Sequence, residues 1–479
     1  QWKSLHLNLA IQYAKPLDEQ TQVTEMEAQA NELEKQLAKT IAGFDDARRL
    51  ATWQDVQAQL GKDEAAIEFV EFIVRNKFGE TTGVRYAALV LRPSGGEPPH
   101  FVRLLEKEKL ASLLSLAENA TPDFISNLYQ SGSLGDSLFD WVWKPVAPFL
   151  DGVKTVYFSP DGLLHRLSFS AIPVGNSTLG DQFQMIRLVS TRQLAFPSAS
   201  NAASPQKTAV VFGGINYDLA STSLVKSKSN RKELETKGLR RSLRNFDPEG
   251  DEWKYLTGSE QESKTVSHQF RADGWQVKVF EGAEASEDVF KQLGEQPPSP
   301  SALHIATHGY FFPEPKTDSK HLDSEGMIST ENQAGIAFRV NDHPMIRSGL
   351  VLAGANHAWK GKPLPPEAED GILTAYEISQ MNLSNTELVV LSACETGLGD
   401  IVNNEGVHGL QRAFKIAGAK YLVMSLWKVP DYASMELMSE FYNYLLKEKM
   451  SVPAAFRAAQ QAMRTKYDPF FWAGFVLME

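Results

Sequence analysis

One cysteine, Cys394, stands among ten histidines in this 479-residue chain. Leu388 to Ala393, just before it, form an apolar and β-branched run of the length of a buried strand. After it, Gly397 and Gly399 open a turn, and from Glu405 the spacing of Val407, Leu410, Ala413, Phe414 and Ala417 predicts a helix closed by Gly418. Strand, thiol, glycine turn and helix is the order in which open α/β folds display a reactive group at the carboxyl ends of their strands. A solitary cysteine also serves as a small buried hydrophobe, so nucleophilic chemistry requires a base. His308 follows Ala302, Leu303, Ile305 and Ala306 and precedes Gly309, which predicts a second strand ending in a reactive side chain. An imidazole at the same sheet edge takes the thiol proton and returns it to the leaving amine. Gly309 leaves its own N–H unobstructed, and with the N–H of Cys394 it is the expected oxyanion hole. Pattern alone also accommodates Cys394 and His308 as two core residues. His304, two residues before Ala306, is expected inside the strand and buried.

The elements that must position these groups fall into three regions. Residues 1–64 form a helical segment whose stripe of Met26, Ala30, Leu33, Leu37 and Ile41 recurs every three or four residues. It packs on its own neighbour or is the remnant of a helical repeat region that holds partners. From 65 to 200 the pattern changes to short β-branched and aromatic runs, AAIEFVEFIV, RYAALVLRP, PHFVRLL, TVYFSPDG and IRLVSTRQL, with helical stretches at 108–118 and 132–149. This α/β unit carries one buried histidine, His165, and no catalytic set. The polar linker PSASNAASPQK leads into a third region, 208–479, where TAVVFGG breaks at a double glycine and strands then alternate with helices to the end of the chain. That alternation predicts a mostly parallel sheet with helices on both faces. The long polar segments 219–250, which contains Arg240, Arg241 and Arg244, and 313–347 are the expected mobile loops, and the first is a candidate for activating cleavage.

Composition excludes several classes of function. A net charge of −11 argues against a nucleic-acid partner, whose phosphates demand clustered Lys and Arg. No apolar run reaches the roughly 20 residues of a membrane span, and no signal peptide is recognisable. A single cysteine rules out thiolate-cluster zinc and intrachain disulfides, which fits a reducing, cytoplasmic setting. No motif requires a cofactor or a metal, and no phosphate-binding glycine loop follows any predicted strand. Because the chain opens on Gln1 rather than Met, further sequence upstream is expected.

Six ordered motifs then converge: ALHIATHGYF, SGLVLAGAN, DGILTAYEI, ELVVLSACETGLG, EGVHGLQRAFKIAGAKYLVMSLWKVPD and FYNYLL. With YFSPDGLLHRLSFSAIP and YLTGSEQESKTV upstream, they resemble the CHAT domain family of caspase-like, separase-related cysteine peptidases, often linked to tetratricopeptide repeats. The resemblance covers roughly 65–479. It implies an α/β caspase-haemoglobinase fold, a mostly parallel sheet sandwiched by helices. Residues 208–479 are then the catalytic domain with Cys394 and His308 as its dyad, preceded by an inactive caspase-like unit over 65–200 and the N-terminal helical segment. Ser392 and Glu395 flank the nucleophile where family members line the substrate groove. Asp431, in SLWKVPD, matches the carboxylate thought to hold a basic residue before the scissile bond; a helix-capping role beside Pro430 fits it equally. SGLVLAGAN is expected to pair with an extended substrate through its backbone. The implied protein is a bacterial, cytoplasmic thiol endopeptidase acting on a protein substrate. A regulatory protein is expected to engage its N-terminal side. The alternative is a catalytically silent caspase-like scaffold for protein–protein interaction.

Overall fold

The computed structural model describes residues 51–93, 96–115, 121–196, 207–218, 252–295, 298–312, 343–361, 369–393, 400–402 and 406–479, together with Val23, Glu25, Met26 and Gln29. The chain divides into two compact units, one within Arg49–Ser204, Ile401–Val407 and Lys449–Glu479, the other within Pro205–Asp400 and His408–Glu448.

In the first unit the short helix α1 (Trp53–Gln57) starts on a capping box in which Thr52 and Asp55 satisfy each other's backbone N–H groups. Most of the helical segment expected over 1–64 lies outside the described residues, and Glu64 already begins a strand. Strands β1 (Glu64–Arg75), β2 (Thr81–Leu91) and β3 (His100–Glu106) form an antiparallel meander. Helices α2 (Lys107–Ser115), α3 (Pro122–Leu128) and α4 (Leu134–Leu138) lead to β4 (Thr155–Ser159), parallel to β1, and α5 (Leu179–Gln182) leads to β5 (Gln184–Arg187), parallel to β4. The strand expected across 186–194 is cut short. The Ser190 hydroxyl accepts the Arg192 N–H and Gln193 returns to the Ser190 N–H, so the backbone turns into a 3-10 helix over Thr191–Ala195.

The second unit is built on five parallel strands. They are β6 (Thr208–Ile215), β7 (Gln276–Gly282), β8 (Ala302–Ala306) and, after an insertion, β12 (Leu388–Ser392) and β13 (Tyr421–Ser425). Their order is β13-β12-β8-β6-β7. Every residue of β8 and β13 is buried, so both faces of the sheet are covered, which is why these strands read as continuous apolar runs. Helix α6 (Thr257–Ala272) crosses β6 at the double glycine. The strand is assigned through to Ile215, but its register shifts across that pair, between Phe212 and Ile215; a Cβ on Gly213 would sit 2.6 Å from the Ser259 carbonyl and 2.7 Å from the Ser263 Cβ, so the glycine permits close helix–strand packing.

The insertion between β8 and β12 is a separate antiparallel sheet of β9 (His308–Phe311), β10 (Ser348–Val351) and β11 (Ile372–Thr374) in that order. Helices α7 (Glu287–Glu295), α8 (Ala355–Trp359) and α9 (Ala375–Ser379) accompany it. The Lys291 ammonium lies 2.6 Å from Glu287, 2.8 Å from Glu377 and 3.2 Å from Glu369, while the other Glu287 oxygen accepts the Gly371 N–H at 2.9 Å. One lysine thus joins α7, α9 and the chain entering β11. Burial and the surrounding carboxylates push Glu287 well up and Asp370 up to about 7.

Helix α10 (Leu410–Ala417) follows β12 and is closed by Gly418 at φ 102°, as its spacing predicts; it begins at Leu410, because Gly406–His408 are extended and pair with Asp400–Val402. Helix α11 (Asp431–Tyr442) packs beside α6. The chain then returns to the first unit through α12 (Val452–Arg464), α13 (Pro469–Trp472) and β14 (Phe475–Met478), which pairs in parallel with β5. Among the described residues no helix is long and apolar enough to cross a membrane.

Candidate functional site

The pairing of β8 with β12 sets Ala306 opposite Ser392, so the two strands end level. His308 and Cys394 each follow that pair by two residues in the sequence. Cys394 and Glu395 lie outside the described residues, as do segment 219–250 and residues 313–342 of the second long loop. His308 itself does not close the parallel strand, as its pattern suggests. Thr307 is the last step of that run: its hydroxyl donates to the Val351 carbonyl, and His308 opens β9 in the antiparallel sheet, opposite Val351. The apolar run Ala302–Phe311 is therefore two strands in two sheets, with the histidine at the crossing.

His308 is 4% exposed, and its Nε2 lies 2.7 Å from the Lys254 carbonyl. A carbonyl only accepts, so Nε2 carries the proton and Nδ1 the lone pair. The ring lies between Tyr217 and Trp253, whose centroids are 5.0 and 5.2 Å away. Burial lowers the imidazole pKa to about 4 against the small upward pull of the Lys254 carbonyl, leaving a neutral ring at pH 7. Tyr217 is anchored in turn: Thr307 gives its own proton to Val351, so the Tyr217 phenol donates to the Thr307 hydroxyl at 3.0 Å. In the β9–β10 ladder the Phe312 N–H donates to Arg347, which makes Gly309–Leu350 a pair without mutual hydrogen bonds. The Gly309 N–H consequently points away from β10, on the outer edge of its strand.

Asp431 is the first residue of α11, and its carboxylate accepts the Gly258 N–H in the first turn of α6. A Cβ on Gly258 would come within 2.5 Å of the Asp431 Cβ. Burial, then the charge of Glu262, raises the pKa of Asp431, and its own charge helps to raise that of Tyr217, the tyrosine packed against His308. Ser392 donates its hydroxyl to Glu262 at 3.0 Å. On its other side Glu262 approaches His304 Nε2 at 3.1 Å, off the direction of a hydrogen bond, while His304 Nδ1 meets the Tyr442 hydroxyl at 3.1 Å. His304 is buried within its strand as expected, and a polar chain links it through Glu262 to Ser392 at the end of β12.

Two residues outside the sequence-derived set hold this arrangement. Buried Asn356, in α8, receives the Trp253 N–H at 2.6 Å, donates to the Trp253 carbonyl at 2.9 Å, and gives its backbone N–H to the Tyr217 carbonyl at 2.9 Å. It therefore fixes both rings around His308 and the segment carrying the Lys254 carbonyl. Glu262 joins Ser392 to the surroundings of Asp431. Asn356 closes the motif SGLVLAGAN, but no spacing rule distinguishes it from a loop asparagine; Glu262 is masked by its polar helical neighbours. The strand within SGLVLAGAN cannot pair with a substrate as expected, because β9 and β11 already occupy both of its edges. Among the described residues no group of three or more His, Cys, Asp or Glu side chains is placed to hold a metal ion.

Known proteins share parts of this chain. Tetratricopeptide repeat protein 28 of Mus musculus is 35% identical over 116 residues, 24% of this chain and 5% of that protein; the Homo sapiens protein of that name is 34% identical over 116 residues, with the same shares. The chain thus spans only about a twentieth of the length of these curated relatives. Among solved structures, the Saccharomyces cerevisiae separase–securin complex aligns over 89% of this chain and 30% of that one, with 8% identity and a TM-score of 0.46. The Arg specific cysteine proteinase gingipain R aligns over 76% and 74%, with 10% identity and a TM-score of 0.40. The CHAT domain profile matches residues 132–479. With well over half of its length matched, the chain belongs to the CHAT domain family, and its fold is a mainly parallel sheet flanked by helices.

Proposed function

We propose that this chain is a cysteine endopeptidase that hydrolyses a peptide bond of a protein substrate through Cys394 and His308. The observation that carries the reading is the fixed, neutral imidazole of His308, held at Nε2 by Lys254 beside the level ends of β8 and β12. The Cys394 thiol attacks the scissile carbonyl as its proton passes to His308 Nδ1. The N–H groups of Gly309 and Cys394 receive the oxyanion. His308 gives the proton to the departing amine and then takes one from the water that releases the acyl group.

In this reading Asp431 holds a basic residue before the scissile bond, with Ser392 and Glu395 along the groove. The 65–200 region acts as a non-catalytic companion, residues 208–479 as the peptidase, and a partner bound on the N-terminal side regulates it in the cytoplasm. The family's frequent linkage to tetratricopeptide repeats and the match to a tetratricopeptide repeat protein support the partner. The test is cleavage of a basic-residue peptide library by wild type, Cys394→Ala and His308→Ala, with iodoacetamide labelling of Cys394 at pH 7. Cleavage lost in both variants, with labelling slowed in His308→Ala, is expected; equal cleavage by all three proteins removes the dyad.

A further inference from the structure

In the first unit, Arg187 at the end of β5 is 2% exposed, and among the described residues no carboxylate lies within ion-pair distance of it. Its Nη2 meets the carbonyl and the Nδ1 of His165, each at 3.1 Å, whereas among the described residues Nε and Nη1 find no acceptor. Three of its five N–H donors are thus unmatched in the interior. Burial lowers its pKa only to about 10, so the charge persists at pH 7. His165 accepts from Arg187 and is held neutral by burial, so it supplies no countercharge. An uncompensated buried guanidinium is among the costliest groups a fold can retain.

Arg187 lines a cavity of about 60 Å³ that α5, β5, α12, α13 and β14 enclose. Two further buried polar groups in its wall lack partners among the described residues, the Ser168 hydroxyl and the Trp472 indole N–H. Exposed Arg457 stands at the mouth. The acid on this wall, Asp181, is already engaged by Arg464, Thr178 and Gln461, so it does not neutralise Arg187. Each unmatched side chain in the wall is a donor, or a hydroxyl able to donate, and the one buried charge is positive. We propose that this cavity binds a small oxyanion, a carboxylate or phosphate group, with Arg187 as its countercharge and Ser168 and Trp472 as neutral donors. The site lies apart from Cys394 and His308 in sequence and does not depend on the peptidase reading.

The test is isothermal titration and thermal unfolding of the full chain with inorganic phosphate and with acetate, against chloride at matched ionic strength. A saturable heat and a rise in Tm with one of the two anions, absent with chloride, are expected; which anion acts separates the tetrahedral from the planar ligand. Arg187→Gln should abolish the response. If that variant does not fold, Ser168→Ala and Trp472→Phe, which each remove one donor, should weaken binding about tenfold. Equal responses to all three anions, or unchanged affinity in both donor variants, overturn the site.

Discussion

The Nε2–H of His308 donates to the Lys254 carbonyl across 2.7 Å, and that contact determines which ring nitrogen accepts a proton. It also sets a pH dependence. Burial holds the folded pKa near 4, below the ordinary 6.5. As the proposed base, His308 is therefore in its working form through most of the mildly acidic range. The acid limb of kcat/KM should fall near pH 4 rather than near 6.5, read from a rate profile between pH 3.5 and 8. For stability, the unfolded chain binds the extra proton first, so the contribution of neutral His308 is complete above pH 6.5 and is lost as pH falls through 4. That contribution is on the order of 3 kcal/mol. A His308→Phe variant should show a flatter fall of the urea midpoint across that window.

Asn356 touches none of the groups assigned to the chemistry, yet it ties Trp253 and Tyr217 together. Replacing it with alanine strips hydrogen bonds from buried backbone and should cost about 1–3 kcal/mol of stability. It should also lower kcat with little change in KM and displace the acid limb, because the segment bearing the Lys254 carbonyl loses its anchor. A purely structural role would reduce Tm and leave the shape of the pH profile intact.

The contact of Gly258 with Asp431 makes a sharper test of Asp431 as the proposed specificity carboxylate than deletion alone. Gly258→Ala forces a Cβ into contact at 2.5 Å, so α6 or Asp431 must shift, at about 1–3 kcal/mol. Both Gly258→Ala and Asp431→Asn should reduce the preference for Arg and Lys before the cut, measured as the kcat/KM ratio of paired basic and neutral peptides. An unaltered ratio in Asp431→Asn would leave this carboxylate as part of the helix packing only.

Lys291 serves Glu287, Glu369 and Glu377 at once. Lys291→Met leaves a buried carboxylate without its cation and should destabilise by about 3–5 kcal/mol. Asp370 works in the opposite direction to His308. Its pKa rises from 3.8 to about 7 on folding, so its protonated form stabilises the fold at low pH and that contribution disappears as pH climbs through 7. Asp370→Asn should gain on wild type in urea midpoint as pH rises from 4 to 7.5; parallel midpoints at every pH would show that Asp370 ionises freely in the fold.

Much of this was legible as pattern. Val389–Leu391 and Leu303–Ile305 are apolar on nearly every residue because their strands are covered on both faces, and Gly418 marks the end of α10 because only a residue tolerant of φ 102° fits there. Periodicity failed where a tertiary partner decides the outcome. Nothing within Ala302–Phe311 says that the run changes sheets at Thr307; the instruction lies in Val351, more than forty residues on. Asn356 and Glu262 were invisible for a related reason, since their roles consist of hydrogen bonds to distant segments. The unmatched guanidinium of Arg187 could not be read at all, because sequence carries no record of which acceptors are missing.

The change of sheet at Thr307 associates the two residues of the proposed dyad with different sheets. The segment ahead of Cys394 belongs to the parallel sheet, and His308 to the antiparallel one. At the joint the Thr307 hydroxyl donates to Val351 and accepts from Tyr217. Two sheets therefore hold the segments that carry the proposed pair, so a substitution that disturbs the antiparallel sheet reaches His308 without passing through β12.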